Sequence, residues 1–466
     1  MDRRSFAVGA GAAMAAMAGA AHSQPEVDDL RTAAREAWIY GLPLIEMARL
    51  RAAAIGARPD SDTPGFNAFA HRREPCGPAE RSFSAPEADL LYSSAWIDLA
   101  PSGAKLWLPP TGGRYFSLAL FDMYGNAFEV FEGREIGGKG REFSLVGPPA
   151  RVGMAGYSAP MPRLPHLIGQ VVRAPCRWVW ALARTHVEGE GGLAGAHQVQ
   201  DGLAIRVKPA APYPAPSAPL DAAWSDYFYA VQKLIEESPP PPTEIEFFRR
   251  IAPLQLSPAG DFERARFADV DLGEVKAGVG EAQTLAAQLR APPSSDGWVW
   301  PKPDIGAYGT DFLYRARSVL AQSGAAPRAA VMALRAAAPD GALSFASAGH
   351  YRLSLPGPPP AAGFWSLTLY EAAPDGRLHL ADAPGGRHSL GAWARGLRRN
   401  PDGGLDVWIG RTDPGGTHSA NWLPAPASAP FALVLRAYAP QDDFVSGRYR
   451  PPPLETLAPG RRPSPH

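Results

Sequence analysis

The chain carries one short stretch twice, at Tyr115–Asp122 and again at Phe364–Glu371. Three of the eight positions are identical, and the other five pair aromatic with aromatic, small with small, or Asp with Glu. A second matching piece, Leu-x-Leu-Pro, ends at Pro109 before the first copy and at Pro356 before the second. Internal repetition of this kind indicates a duplicated structural unit. The chain is therefore predicted to contain two related β domains.

Each copy is rich in aromatic residues and leucine and follows Pro/Gly turns, which is typical of a strand buried on both faces. Asp122 and Glu371 fall at the ends of these strands, just before further turn sequences. A carboxylate in such a place fixes the turn by accepting backbone N–H groups, or it serves as a catalytic group at the mouth of a sheet. The turn role is the more frequent one, and the sequence leaves both open.

Length and charge set broad limits on what the chain does. At 466 residues it is long for one core, so two or three domains are expected. Lys+Arg and Asp+Glu are both 46, which leaves no basic surplus to hold a phosphate backbone. Nucleic acid is therefore not an expected partner. A small molecule or a glycan is the expected class of ligand, and homo-oligomer formation stays open.

Residues 1–23 have the pattern of an export signal. Arg3 and Arg4 precede an apolar run of Ala, Gly and Met, and small residues then offer a cleavage site near residues 20–23. The paired arginines favour the twin-arginine route, with an ordinary Sec signal or an uncleaved anchor as alternatives. Later in the chain, no stretch approaches about 18 uninterrupted apolar residues, so the mature protein is predicted to be periplasmic and without a transmembrane segment.

The rest of the chain divides by pattern into segments with different predicted structures. The predicted fold class is α+β, with two antiparallel β-sandwich (jelly-roll-like) domains, an N-terminal helix and a helical middle region. Within the N-terminal helix, Gly41 and Pro43 predict a kink or a division into two helices. The segments are 24–86 (helix and ordered loop), 87–209 (first sandwich), 210–340 (helical region), 341–452 (second sandwich) and 453–466 (flexible tail).

Cysteine and histidine spacings predict neither a metal site nor a cofactor. Cys76 and Cys176 are the two cysteines, and sequence alone leaves open whether they form a disulfide. They lack the C-x-x-C spacing of a zinc site, and the histidines do not come at ligand spacing. No metal site is therefore predicted, and the cofactor is unknown.

Several longer motifs resemble two known domain families. One set resembles domain of unknown function 1254: Ala37–Pro43, Leu91–Leu99, Gly113–Leu118, Asp122–Tyr124 with Asn126, and Val146–Pro148. The other set resembles domain of unknown function 1214: Tyr308–Gly309, Leu313–Ala316, Phe364–Tyr370, Asn400–Gly403, Asn421–Pro426 and Leu435–Pro440. The two domains commonly occur together in exported bacterial proteins, and the resemblance covers nearly the whole mature chain.

The resemblance implies an exported protein that is rich in β-sandwich structure and has no settled general activity. Hydrolase activity is suspected for some members, but no motif transfers it to this chain. Where the family reads Asn-x-Asp-Thr-Leu-Tyr, this chain has Glu87, Asp89 and Tyr92 at the Asn, Asp and Tyr positions, with Leu90 in place of Thr. The specificity of any pocket that these groups line is expected to differ accordingly.

Two functions fit these observations. In the first, the protein is a periplasmic hydrolase with a pocket between the sandwiches, where Asp122 is the acid/base candidate and Arg114 and Arg134 stabilise an anion. In the second, it is a non-catalytic protein that binds an envelope glycan or amphiphile through aromatic stacking in the same cleft. Further candidate pocket residues are Tyr92, Tyr124, Asn126, Tyr308 and Trp422. Tyr and Trp are equally good core residues, and buried arginines often pair with carboxylates instead of ligands. Whether the protein is an enzyme stays open.

Overall fold

The computed structural model describes residues 27–56, 65–99, 103–148, 170–187, 192–208, 218–258, 260, 262–267, 269–288, 296–321, 324–325, 327–328, 330–394 and 396–457. The predicted export signal (1–23) lies outside the described residues. The same holds for the end of the predicted flexible tail.

A long N-terminal helix and the helices of the middle region pack into one body. The helices are α1 (Val27–Gly56), α2 (Gly133–Ile136), α3 (Gly192–Gly202), α4 (Trp224–Glu237), α5 (Ile245–Arg250), α6 (Asp269–Ala287), α7 (Phe312–Ala321) and α8 (Asp442–Val445). Helices α4 to α7 lie within the segment 210–340 that the sequence predicts to be helical. The apolar residues of α1 share a single hydrophobic cluster with those of α4, α5 and α6.

Helix α1 runs without interruption through Pro43, so the predicted division into two helices is wrong. A proline inside a helix costs about 3 kcal/mol, because it removes a hydrogen bond and its ring crowds the preceding turn. Close packing offsets this cost, since the residues around Pro43 are almost all buried. Gly41 allows the approach of α4, because a methyl group there would lie 2.5 Å from Cγ2 of Val231.

The first β region forms two sheets. Its strands are β1 (Gly65–Phe66), β2 (Ala70–His71), β3 (Leu90–Asp98), β4 (Ala104–Leu108), β5 (Phe116–Phe121), β6 (Ala127–Glu132), β7 (Arg141–Val146), β8 (Gln170–Arg173), β9 (Trp178–His186) and β10 (Ala204–Val207). The larger sheet has the order β1-β3-β9-β5-β6 with β2 beside β3, and the smaller has the order β10-β4-β7-β8. Residues of both sheets share one hydrophobic cluster.

The second β region repeats this plan. Its strands are β11 (Trp298–Val299), β12 (Val331–Ala336), β13 (His350–Leu355), β14 (Ala361–Ala372), β15 (Leu378–Leu380), β16 (Ser389–Gly391), β17 (Leu405–Gly410), β18 (Trp422–Pro424), β19 (Phe431–Pro440) and β20 (Glu455–Leu457). Its larger sheet has the order β11-β12-β19-β14-β15 with β16 beside β14, and its smaller sheet has the order β18-β17-β13-β20.

The repeated stretches occupy the same place in the two larger sheets. The first copy forms β5, which pairs with β9 and β6, and the second forms β14, which pairs with β19 and β15. Every residue of β5 is buried, as the sequence predicts for a strand covered on both faces. The chain is therefore of mixed α and β structure with a duplicated sheet order. Among the described strands, three pairs are parallel: β1 with β3, β7 with β8 and β17 with β18. Three of the four described sheets are therefore mixed where the sequence predicts antiparallel ones, whereas the larger sheet of the second region is antiparallel.

Strand β12 lies inside the segment that the sequence predicts to be helical. It pairs with β19 along its length and alternates between half-buried and buried residues. Its Ala, Leu, Met and Arg residues favour helices in isolation, but strand formation depends on cross-strand neighbours more than on intrinsic preference. Strand β19 supplies those neighbours. Strand β12 has the same position beside β19 as β3 has beside β9 in the first region.

Two small hydrophobic clusters join the two β regions. One contains Tyr370, Leu380 and Val434 together with Cys76 of the first region, and the other contains Leu90, Phe364 and Tyr438. Cys76 and Cys176 are both buried and not bonded to each other, and they belong to different clusters. Within the described part of the chain, no helix is long and apolar enough to cross a membrane.

Candidate functional site

Aromatic residues from equivalent positions of the two copies meet where the β regions join. Tyr115 directly precedes β5, and its counterpart is Phe364 in β14. The backbone N–H of His186 donates to the carbonyl of Tyr115 (3.0 Å), and Phe364 lies opposite Tyr438 in the other ladder. The Phe364 ring stacks on His186 with centroids 3.8 Å apart and on Tyr438 at 4.0 Å, and Tyr115 meets it edge-on at 5.5 Å. Trp393 completes this aromatic cluster, with its ring edge-on to Phe364 at 5.2 Å.

A cavity of about 330 Å³ opens at this junction. We call it the interface cleft. Its lining joins the residues at the start of β5, the turn from β6 into α2, the end of β9, the start of β14, the turn after β16 and the end of β19. The lining residues are Gly113, Arg114, Tyr115, Phe116, Glu132, Gly133, Arg134, His186, Ala362, Gly363, Phe364, Ala392, Trp393 and Ala439. A cleft of this size, with an aromatic wall and a few charged groups, is the usual form of a small-molecule site.

Two arginines and one glutamate give the cleft its charge. Arg114 is half-buried, and its Nη1 donates to the carbonyl of His186 (3.0 Å). Its Nη2 lies close above Gly195 of α3, where a methyl group would be 2.3 Å away. Arg134 is exposed, and its Nε lies 2.7 Å from Glu132, whose carboxylate also caps α2. The side chains at the rim therefore carry a net positive charge, which favours an anionic ligand.

His186 forms part of the aromatic wall of the cleft. Burial and the nearby charge of Arg114 lower the pKa of His186 to about 4. The imidazole is therefore neutral at physiological pH, when it offers one donor and one acceptor nitrogen. Its side chain is 6% exposed, and among the described residues its Nε2 has no hydrogen-bond partner.

Near the cleft, a buried ion cluster of Glu87, Arg184 and Arg436 joins the two β regions. Arg184 Nε donates to Glu87 Oε2 at 2.8 Å, and Arg436 Nε lies 4.0 Å from Glu87 Oε1. The two arginines are equivalent, because Arg184 lies opposite Ser117 in β5 and Arg436 lies opposite Ser366 in β14. Burial alone would raise the pKa of Glu87, but the two arginines outweigh it and hold this pKa below its ordinary value.

Asp89 is a second buried carboxyl beside the ion cluster. Burial raises the pKa of Asp89 to about 7, against the opposing effects of Ser366 and the Arg436 charge. Its carbonyl accepts the N–H of Val187, which follows β9. Asp89 thus titrates near neutral pH within the joint between the β regions, while the described lining of the cleft does not include it.

A second cavity, of about 380 Å³, lies in the helical region and is lined by Phe248, Ala252, Gln255, Leu256, Ser257, Gly260 and Arg266. Its polar groups already bond to one another or to a neighbour. Gln232 bonds the backbone N–H and carbonyl of Ser257, and Arg266 donates to Gln255. We therefore take the interface cleft as the candidate functional site.

Asp122 lies at the opposite end of β5 from the cleft. It is fully buried, and its Oδ1 accepts the backbone N–H groups of Tyr124 and Asn126, both at 2.9 Å. The Asn126 side chain adds a bond to Oδ2 at 3.0 Å. Burial raises the pKa of Asp122, and these hydrogen bonds oppose the rise. The arrangement is that of a side chain that fixes a turn.

The structure divides the predicted site residues among different places. Arg114 and Arg134 both line the cleft, but β5 lies between Arg114 and Asp122, and its six residues span about 20 Å at the usual rise per residue. Tyr124, Asn126 and Tyr308 lie at the Asp122 end, where Asn126 Oδ1 accepts the N–H of Tyr308 (3.4 Å).

The remaining two predicted residues lie apart from that group. Tyr92 belongs with the ion cluster, since its hydroxyl donates to Glu87 Oε2 at 2.7 Å. Trp422 lies in the second β region, where its Nε1 donates to the carbonyl of Gly410 (2.9 Å).

Sequence reasoning missed the roles of His186, Trp393 and Glu87. The alignment of the two copies offers one signal for the site. It pairs Tyr115 with Phe364, and these two residues lie at the strand ends where the aromatic residues meet. Glu87 is the partner of Arg184 in the buried ion cluster. Glu87 precedes β3, and its position depends on how the β regions join, which no local pattern encodes.

Replacing Asp122 with Ala is expected to lower the free energy of unfolding by about 1–3 kcal/mol, because buried turn N–H groups lose their acceptor. Asp122→Asn keeps one acceptor oxygen and is expected to cost less. Urea denaturation checks both values. Ligand affinity at the cleft is expected to stay unchanged in both variants, and a folded Asp122→Asn protein that has lost binding or turnover would contradict this assignment.

Two family models match this chain. Protein of unknown function (DUF1254) matches residues 66–207, and protein of unknown function (DUF1214) matches residues 330–442. No curated protein matches. Among solved structures, the VPA0106 protein from Vibrio parahaemolyticus has a TM-score of 0.62 at 19% identity, over 92% of this chain and 100% of that chain. A protein from Burkholderia cenocepacia has a TM-score of 0.44 at 14% identity, over 92% of this chain and 94% of that chain, which is too low to support an argument.

The matches coincide with the architecture. The first covers strands β1 to β10, and the second covers β12 to β19 and so contains β14, the second repeated strand. The likeness to the Vibrio parahaemolyticus protein, at 19% identity, supports a shared fold and nothing further. The chain therefore combines a DUF1254 domain in its N-terminal half with a DUF1214 domain in its C-terminal half.

Proposed function

We propose that this protein binds a small amphiphilic anion in the interface cleft without transforming it. This proposal is based on one observation: an aromatic wall of His186, Phe364 and Trp393 and the Arg114 guanidinium line the same cavity of about 330 Å³. An aromatic or other flat apolar group would pack on the wall, and an acidic group would meet the arginine.

The absence of a suitable catalytic constellation in the described lining favours binding over hydrolysis. The described lining holds one carboxylate, Glu132, which caps α2 and pairs with Arg134, and one imidazole, His186, whose lowered pKa of about 4 makes it a weak base. Asp122, the acid/base candidate of the hydrolase hypothesis, lies at the other end of β5 from Arg114, and that strand is about 20 Å long. A hydrolase needs an acid or base within hydrogen-bond reach of the reacting group. The hydrolase therefore stays as the alternative outcome of the experiment below.

Calorimetric titration with benzoate tests the proposal, with benzyl alcohol as the uncharged probe of similar size. Benzoate is expected to bind with 1:1 stoichiometry and at least about tenfold more tightly than benzyl alcohol, since a charge-assisted hydrogen bond contributes more than a neutral one. Arg114→Gln is expected to weaken benzoate about tenfold. The matched control is Arg249→Gln, because Arg249 is 66% exposed and far along the chain in α5.

A second variant moves the Arg114 guanidinium without removing its charge. In Gly195→Ala, the new methyl group would lie 2.3 Å from Arg114 Nη2, so the guanidinium has to shift. Weaker benzoate binding in this variant would indicate that benzoate needs a hydrogen bond from a correctly placed Arg114 guanidinium, and not only a positive charge nearby. Absence of benzoate binding up to about 10 mM, or equal affinity for benzyl alcohol, would overturn the proposal. If the protein releases nitrophenolate from 4-nitrophenyl phosphate or 4-nitrophenyl acetate and a cleft variant loses this activity, the hydrolase hypothesis replaces the binding proposal.

The proposal includes two features that the sequence predicts. The Arg3 and Arg4 pattern supports action in the periplasm after export. The hydrophobic cluster shared by the two sheets of the first β region supports a sandwich arrangement there, and the common sheet order extends it to the second region. An envelope glycan or amphiphile that carries an acidic group fits a cleft exposed to that compartment.

A further inference from the structure

We infer that Asp89 is a proton switch in the joint between the two β regions. As a neutral carboxylic acid it allows the joint to close, and as a carboxylate it loosens the joint and weakens the binding of an anion in the interface cleft. The effect on the joint is independent of the proposed function. The effect on the cleft rests on that function.

Asp89 is a buried carboxyl group without a cationic partner. It directly precedes β3 and is 8% exposed. The hydroxyl of Ser389, at the start of β16 in the second region, donates to its Oδ2 over a distance of 3.5 Å. Within the part of the chain that the structure describes, no lysine, arginine or histidine forms an ion pair with Asp89. A buried carboxylate without such a partner is costly, so this environment favours the neutral acid.

The arginines of the joint bond to other groups and leave Asp89 without compensation. Arg184 Nε donates to Glu87 Oε2 at 2.8 Å, while Arg436 donates to the Tyr370 hydroxyl at 2.6 Å and to a main-chain carbonyl at 3.0 Å. The charged, titratable and hydroxyl groups that face Asp89 are Glu87 from its own segment, Ser366 and Tyr370 from β14, Ser389 from β16, and Arg436 and Tyr438 from β19.

Burial sets the pH range in which the switch operates. It raises the pKa of Asp89 to about 7, although Ser366 and Arg436 oppose the rise. The Glu87 charge adds to it. Burial also lowers the pKa of His388, which precedes β16, so this imidazole is neutral at pH 7. The folded joint therefore holds a proton that the unfolded chain releases. The stability that this proton contributes is fully present below about pH 4, declines as the pH rises, and is lost above about pH 7.

Asp89 is attached to both sides of the interface cleft. Its carbonyl accepts the N–H of Val187 at 3.1 Å, and Val187 follows His186 of the cleft lining. Strand β16, which begins with Ser389, leads directly into Trp393 on the other side of the cleft. Because water stabilises a carboxylate, ionised Asp89 favours states in which the joint opens. It also repels an anionic ligand, so both effects lower the affinity for an anion as the pH rises.

Urea denaturation of the wild type and Asp89→Asn between pH 5 and pH 8 tests the switch. Asn has nearly the shape of the neutral acid and does not ionise, so this variant is expected to fold. The ratio of the two unfolding constants, wild type over variant, is expected to rise roughly a hundredfold over this range and to level off above about pH 7. A purely structural role of the side chain would give a ratio that does not change with pH.

Two further variants make this test specific. Asp413→Asn is the matched control, because Asp413 is exposed and its bond from the Ser419 hydroxyl lowers its pKa, so it is ionised in both states above pH 5. Its ratio is expected to be independent of pH. Ser389→Ala keeps the Asp89 carboxyl but removes a hydroxyl that lowers the pKa of Asp89. This variant is expected to lose stability relative to the wild type as the pH rises from 6 to 9.

Calorimetric titration with benzoate at pH 6 and pH 8.5 tests the effect on the cleft. Benzoate is ionised at both values, so its own charge does not change. The wild type is expected to bind benzoate at least about threefold more weakly at pH 8.5, because the Asp89 carboxylate is then present. Asp89→Asn is expected to bind it equally well at both pH values.

The outcomes separate the inference from the proposed function. If the ratio for Asp89→Asn does not change with pH, the switch is overturned. If that ratio changes but benzoate affinity is the same at both pH values, the effect on the cleft is overturned and the proton switch of the joint stands. If benzoate binds at neither pH, the proposed function fails, while the urea series still decides whether Asp89 is a switch.

Discussion

Replacing Glu87 with Gln is expected to lower the free energy of unfolding by about 3–5 kcal/mol, among the largest effects of any single substitution in this protein. Glu87 is 1% exposed and is the carboxylate between Arg184 and Arg436, which are 2% and 1% exposed. Without its charge, two buried guanidinium groups lose the compensation that makes their burial tolerable. Urea denaturation of the wild type and the variant measures the difference.

The same substitution is expected to act in a pH-dependent way. The pKa of Glu87 is lower in the folded protein than its ordinary value of 4.5. The stability that Glu87 contributes is therefore fully present above about pH 4.5 and is lost as the pH falls through its folded pKa. The difference in unfolding free energy between wild type and Glu87→Gln should accordingly shrink as the pH falls below about 4.5.

Glu246→Gln is the control for this prediction. Glu246 pairs with Arg249 on the surface, where the side chains are 68% and 66% exposed, so its removal is expected to cost no more than about 1 kcal/mol. Equal, small effects of the two substitutions would contradict the assignment of Glu87 as the shared partner of both arginines.

Replacing Phe364 with Ala is expected to cost about 3–5 kcal/mol of unfolding free energy and also to remove most of the ligand affinity. Phe364 is 4% exposed and contacts the rings of His186, Tyr438, Tyr115 and Trp393, so the substitution leaves a hole at the centre of the aromatic cluster. His186 then loses the ring that holds it in place. Denaturation and benzoate titration measure the two losses.

Phe345→Ala separates the two effects of the Phe364 substitution. Phe345 is 8% exposed and packs in the core of the second β region, on Phe431 and Tyr351. Its replacement is expected to destabilise the fold to a similar degree while leaving benzoate affinity within about threefold of the wild type. If both variants lost affinity equally, the loss would reflect general destabilisation and not the cleft.

The repeated stretch made much of the fold predictable. Alternation and composition are local properties, so the octamers at β5 and β14 were predictable as strands, and their similarity predicted two related β domains. Intrinsic preference misled at β12, whose residues favour helices until β19 pairs with them. The predicted division of the N-terminal helix at Pro43 is wrong because tight packing around α1 outweighs a local penalty, and the alternative of a kink stays a prediction.

The candidate site was less predictable, because its residues meet through contacts between distant parts of the chain. Arg114 and Arg134 follow from the sequence near β5. His186 and Phe364 are 178 positions apart and meet because the two copies join at the same strand end. The sequence suggested Asp122, the carboxylate at the end of β5, as the acid/base residue, but β5 lies between Asp122 and the arginines of the cleft.

A crystal structure of the protein with benzoate tests whether the interface cleft is the binding site. We expect the benzoate ring against Phe364 and Trp393 at the junction of the two β regions, with its carboxylate within hydrogen-bond distance of the Arg114 guanidinium. Benzoate bound elsewhere, or a cleft that stays free of it at a concentration that saturates binding in solution, would contradict the proposed function.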